Sequence, residues 1–145
     1  MRSRYLIILF LLLPSFASGS ELEPFTTDGC SSFPDGTPAQ QSLWAECCIR
    51  HDLAYWKGGS YEERLDADRA LEACVARVGE PAIAAVMLAG VRVGGSPYFP
   101  TFYRWGYGWP FPRGYKVLST EEQQQVKQHL AQFKLMIDSI ADEIN

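Results

Sequence analysis

Four cysteines, Cys30, Cys47, Cys48 and Cys74, constrain this chain more than any other feature. An even number of cysteines in an oxidising compartment predicts two disulfides. A four-cysteine zinc site is the rival arrangement, but adjacent Cys47 and Cys48 lack the two-residue spacer that lets a pair grip one tetrahedral ion. The compartment is read from the start of the chain. Arg2 and Arg4 precede an apolar run from Tyr5 to Leu13, then Pro14 and the small residues Ala17-Ser18-Gly19, the layout of a signal peptide cleaved after Gly19. The run is too short to cross a bilayer, which takes roughly 20 residues of helix.

Residues 1–19 are thus predicted to be a leader and 20–145 a single secreted or periplasmic domain. Loss of Arg2 and Arg4 leaves 11 basic residues against 17 acidic ones, a net charge of −6. An acidic domain without a basic run is a poor nucleic-acid binder. A chain of this size also buries a real core, so disulfides supplement packing rather than replace it.

The pattern along the chain predicts a mainly α fold. Asp28 to Gly36 is dense in turn formers and reads as an irregular loop whose carbonyls are free to face a ligand. Thr37 as N-cap, Pro38 in the first helical position and Gln40 three residues after the cap predict a helix from there to about Lys57. Gly58-Gly59 ends it. Ser60 and Glu63 form a capping box that opens a second helix, to about Val78, before Gly79 and Pro81, giving an antiparallel helical hairpin. A third helix-compatible segment, 81–93, is most simply core. Residues 94–115 form an aromatic loop rich in proline and glycine. Ser119 and Glu122 give a further capping box before an amphipathic helix, 120–144. Its stripe of Val126, Leu130, Phe133, Ile137, Ile140 and Ile144 recurs at alternating steps of four and three.

The chemistry lies on the hairpin. Trp44, Cys47, Cys48, His51 and Tyr55 share the apolar face of the first helix, so His51 points inward. The second helix shows a stripe of Leu65, Asp68, Leu71, Val75 and Val78, in which Asp68 is a buried carboxylate that needs a partner. At 1.5 Å per residue, His51 and Asp68 lie roughly 10 and 14 Å from the bend, nearly level. A carboxylate on one imidazole nitrogen fixes the tautomer and leaves the other as a general base, and Tyr55 can donate to the same carboxylate. Cys47 and Cys74, at roughly 17 and 22 Å, can also meet, which would leave Cys48 for Cys30. That second bridge would hold the 28–36 loop beside Asp52. One carboxylate with loop carbonyls is an oxygen-only set suited to calcium.

These residues together resemble the secreted phospholipase A2 superfamily. Its helix signature is two cysteines, two variable residues and His-Asp, here Cys47-Cys48-Ile49-Arg50-His51-Asp52. Tyr55 lies four residues after the histidine and Asp68 six residues before Cys74, as in that family. The resemblance covers 28–78 and implies bridges Cys30 to Cys48 and Cys47 to Cys74. It also implies His51 as the base that activates water, Asp68 and Tyr55 as its supports, and Ca2+ held by Asp52 and the carbonyls of Gly29, Ser31 and Phe33. The implied activity is hydrolysis of a glycerophospholipid acyl ester at a membrane surface. The chain departs from the family at Ser31-Ser32-Phe33, where glycines are usual, and at Ala54, often cysteine. The altered loop favours the alternative, a lipid-binding or interaction module of the envelope without turnover.

Outside that core, the aromatic rings of 94–115 are expected either to complete the core over the hairpin or to sit at a lipid interface. The stripe on the last helix is expected to pack on its own domain, with pairing to a second copy, a homodimer, as the rival. His129 is expected to be exposed. Arg92 and Arg104 are candidates for a phosphate only by charge.

Overall fold

A computed structural model describes residues 20–144, so the predicted leader lies outside the described residues. Among the described residues the fold is mainly α, with four helices and no strand. The helices are α1 (Ala45–Lys57), α2 (Tyr61–Arg77), α3 (Pro81–Gly94) and α4 (Thr120–Ile144). Among the described residues no helix is long and apolar enough to cross a membrane. Both disulfides form, Cys30 to Cys48 and Cys47 to Cys74.

Local signals set most boundaries. Ser60 and Glu63 make the reciprocal capping box that starts α2. Between α1 and α2, Gly58 has a φ of 67°, and a Cβ there would meet the Cα of Gly106 at 2.9 Å. Only glycine combines that backbone with so close an approach. Cys47 joins Cys74 and Tyr55 meets Arg64, so the two helices run in opposite directions. α3 starts with Pro81 in its first turn and packs along α2.

The first helix begins later than predicted. Thr37 Oγ1 does accept from the Gln40 N–H, but 37–44 closes with Gln40 to Thr37 and Leu43 to Gln40 bonds, each spanning three residues. Trp44 is held back on the loop, its N–H on the Asp35 carbonyl and its indole on Pro34 O at 2.6 Å. That anchoring keeps 37–44 in successive turns, and α-helix starts only at Ala45. The stripe of α2 is also shifted at both ends. Arg64 takes a buried place, Leu65 is half-buried and Val78 is exposed. α3 buries only Ala84 and Met87, leaving Val86 and Val93 exposed.

The 94–115 segment has no regular element, and its rings divide. Trp105 and Trp109 are buried, while Tyr98, Phe99, Phe102 and Phe111 are exposed. The buried part caps the end of α1. Gly106 N–H and Gly108 N–H donate to Tyr55 O and Trp56 O, and the indoles of Trp105 and Trp109 to Gly59 O and Lys57 O at 2.9 and 2.8 Å. Terminal carbonyls of a helix have no partner of their own, so the loop supplies the missing donors. Leu22, Trp56, Trp109 and Val126 then form a second core cluster beside the one that Trp44, Cys47, Cys48, Leu71 and Val75 build around the disulfides.

α4 joins this second cluster only through its first half. Its capping box forms as predicted, with Glu122 Oε2 accepting from Ser119 N–H at 2.9 Å. The expectation that the whole stripe packs on its own domain fails beyond Phe133, since Ile137 and Ile140 are each nearly half exposed. The body simply ends there. His129, expected to be exposed, is half-buried with its ring edge to Trp56.

Glu122 fastens α4 to the loop. Both its oxygens accept from Arg113 at 3.0 Å, and Lys116 adds a third contact, so these cations, Arg113 foremost, hold its carboxyl down at about 2. A depressed folded pKa contributes stability above the unfolded value of 4.5 and loses it as pH falls toward 2. Glu122→Gln should therefore lower unfolding free energy by about 2 kcal/mol at pH 7, with the gap to the unsubstituted protein closing between pH 4.5 and 2. Urea titrations across that range check it.

Candidate active site

α1 puts His51 and Tyr55 on one face because a four-residue step returns to it, while Asp52, the next residue after His51, projects about 100° away on the side where Thr27 meets it. The buried imidazole of His51 places Nε2 3.0 Å from Asp68 Oδ1, and the Tyr55 hydroxyl donates to the same oxygen at 2.7 Å. Asp68 is fully buried. With a carboxylate at Nε2, that nitrogen carries the proton and Nδ1 holds the free lone pair. Burial, reinforced by the negative charge of Asp68, pushes the Tyr55 hydroxyl up, so it stays a donor.

The other oxygen of Asp68 faces two cations that the sequence pattern did not single out for this role. Arg92 Nε lies 2.7 Å from Oδ2, an ion pair whose N–H lies outside hydrogen-bond alignment, and Arg64 Nε lies 4.0 Å from it. Arg64 also donates to the Tyr55 hydroxyl at 3.1 Å and to the carbonyls of Val91 and Arg92 at 2.9 Å each. Arg92 in turn donates to Leu65 O at 3.2 Å. Each arginine thus binds the backbone of the other's helix, and α2 and α3 are locked around the carboxylate. One signal pointed to Arg64: it lies four residues before Asp68, on the same helical face. Arg92 is occupied here, and Arg104 is buried on the carbonyls of Thr101 and Trp109, so neither is a free phosphate ligand.

His51 borders a cavity of about 280 Å³. Its base is Cys48, His51, Asp52 and Tyr55, one wall is the loop from Gly29 to Phe33, and the opposite wall is α3, through Met87, Gly90, Val91 and Gly94. A second cavity, of about 230 Å³, lies between α1 and α2 and is lined by Ala54, Ala67 and Ala70. The imidazole partitions the two, and only the first also holds Asp52 and the loop.

Asp52 is held differently from Asp68. Thr27 Oγ1 donates to its Oδ2 at 2.7 Å. Burial raises its carboxyl to about 6, with Asp28 and Asp35 adding repulsion and Thr27 and His51 opposing the rise. The Cys30–Cys48 bridge fixes the loop one turn before it. Within the loop Asp35 Oδ1 accepts from Cys30 N–H at 2.7 Å and Asp28 accepts from Ser31. Asp35 therefore shapes the loop instead of offering that oxygen to a ligand.

Among the described residues no three histidine, cysteine or acidic side chains are grouped to hold a metal ion. Backbone oxygens would have to complete any cation site, and Gly29, Ser31 and Phe33 line the same cavity as Asp52. An all-oxygen set beside a carboxyl raised by burial and like charge fits a hard cation such as calcium. Compared with family models, curated proteins and solved structures, the chain matches none.

Two substitutions probe the carboxylates separately. Asp68→Ala should destabilise the protein by about 3 to 5 kcal/mol in urea, because it leaves two cations without their counter-charge. For Asp52 the sign is opposite: its folded pKa is raised, so ionising it costs stability as pH climbs from 3.8 through about 6. In metal-free buffer at pH 7.5, Asp52→Asn should raise the unfolding free energy by about 1 kcal/mol once solvent screening is allowed for, and leave it unchanged near pH 3.5.

Proposed function

We propose that this chain is a secreted or periplasmic hydrolase of the phospholipase A2 type, a single domain that cleaves an acyl ester of a glycerophospholipid. The observation that carries this reading is His51, held by Asp68 and Tyr55 at the base of an apolar cavity that also presents Asp52. The antiparallel α1 and α2, the bridge between them, the second bridge from α1 to the loop and the signature Cys47-Cys48-Ile49-Arg50-His51-Asp52 all support the likeness.

In this mechanism His51 Nδ1 takes a proton from water as the water attacks the ester carbonyl, then returns it to the leaving alkoxide. Asp68 stabilises the imidazolium that forms, and Tyr55 keeps the carboxylate oriented. Asp52 and the carbonyls of Gly29, Ser31 and Phe33 would hold calcium. The chemistry supplied there is stabilisation of negative charge on the carbonyl oxygen. The apolar walls exclude water from the acyl chain. Val86 at the cavity and the exposed Tyr98, Phe99 and Phe102 offer apolar contact to a lipid surface, which an acidic protein cannot reach by charge.

The second reading, a lipid-binding module without turnover, is favoured by one observation. Asp52 already accepts from Thr27, and Asp35 is engaged within the loop.

Acyl release from mixed phospholipid vesicles separates the two. The unsubstituted chain should release fatty acid only with calcium, and His51→Gln should lower the rate by about 10² to 10⁴-fold without loss of vesicle binding. No release with calcium present would overturn the enzyme reading and leave the binding one. Because Asp52 must be ionised to hold a cation, calcium affinity in a calorimetric titration should fall as pH drops through about 6.

A further inference from the structure

α3 presents two glycines to the cavity that borders His51, and they differ in kind from the glycine that follows them. At Gly95 an added Cβ would meet the ring and hydroxyl of Tyr55 at 2.5 Å, so packing requires glycine there. At Gly90 it would meet no atom within 4 Å, and at Gly94 only the edge of the Tyr103 ring at 3.9 Å, an ordinary contact. Glycine is the weakest helix former after proline, yet nothing beside Gly90 or Gly94 calls for it.

What the two share is their place. From α3 the cavity is lined by Val86, Met87, Gly90, Val91 and Gly94. At 3.6 residues per turn these positions span about 140° of the helix, with Gly90 and Gly94 inside the span, Val86 at one edge and Met87 and Val91 toward the other. Side chains along both edges and none between them leave a furrow down the helix, about 12 Å long from Val86 to Gly94. Leu71 and Phe33 add apolar surface to the same cavity, while His51 and Asp52 lie together at its base. No charged side chain lines the α3 wall, and N–H groups beyond the first turn of a helix are already bonded, so a polar headgroup finds no free donor there. An unbranched alkyl chain fits such a furrow.

We propose that Gly90 and Gly94 form the slot for the substrate's acyl chain and set the length of chain that the site accepts. Assigning the slot to an ester substrate rests on the hydrolase reading; its capacity to bind an alkyl chain does not.

Calorimetric titration of the metal-free protein with neutral n-alcohols, from hexanol to decanol, reads the slot without turnover. Each added methylene should tighten binding about 3- to 4-fold until the chain outgrows the furrow. Gly90→Leu should keep its helix, since leucine is a strong helix former and its Cβ meets open space. In that variant decanol should bind at least about 10-fold more weakly and the dependence on length should vanish, with Gly90→Ala in between. Ala89→Leu, exposed on α3 and outside the cavity lining, should leave the series as it is. Acyl release from didecanoyl relative to dihexanoyl phosphatidylcholine should fall in Gly90→Leu by a similar factor. Binding independent of length in the unsubstituted chain, or the same series in Gly90→Leu, would overturn the proposal even where acyl release upholds the hydrolase. Length-dependent binding that Gly90→Leu abolishes, with no acyl release from any ester, would uphold the slot and remove the hydrolase reading.

Discussion

A carboxylate with no exposure to water is the constraint around which this molecule is arranged. Burying the charge of Asp68 is tolerable only with full compensation, and the compensation comes from three helices: His51 and Tyr55 on α1, Arg64 on α2 and Arg92 on α3. The arginines carry more charge than the aspartate cancels. They also bind the carbonyls of the opposite helix, so the electrostatics of the site and the packing of α2 on α3 are one interaction.

The two acidic groups near His51 are set apart by what surrounds them. Asp68 has His51 and Tyr55 on one oxygen and the cations Arg64 and Arg92 beside the other. Asp52 has one hydroxyl donor, two acidic neighbours and an open cavity, so it lacks positive charge. Two carboxylates near one imidazole thus sit in different surroundings, one enclosed by donors and cations and one open to the cavity.

Much of this arrangement could be read from the residue order, because it rests on short-range rules. Capping boxes at Ser60 and Ser119, the Gly58-Gly59 turn and Pro81 each act within a few residues, and the helices begin or end at them. The inward faces of His51 and Asp68 follow from helical period, and the cysteine pairs from the same period with the likeness added. What stayed hidden depends on distant partners. Trp44 is tied to Pro34 and Asp35, which holds 37–44 in turns although Thr37 is a good cap. Arg92 meets Asp68 from 24 residues away in sequence, across a helix packing that no local pattern specifies. The stripe of α4 was legible, but its length relative to the body was not, since exposure belongs to the folded object.

The capping of α1 by the aromatic loop places a limit on the order of events in biosynthesis. The indole that completes Lys57 belongs to a residue 52 positions later. At about 5 to 20 residues per second, the ribosome delivers Trp109 several seconds after the helix that bears His51 has emerged. Through that interval α1 has an open end and its second core cluster is missing. The pair α1 and α2 is therefore not a separable cassette: the end of α1 is completed only after the segment behind it arrives, and a nascent chain stalled before that point would hold His51 and Asp68 without the cap that closes their helix.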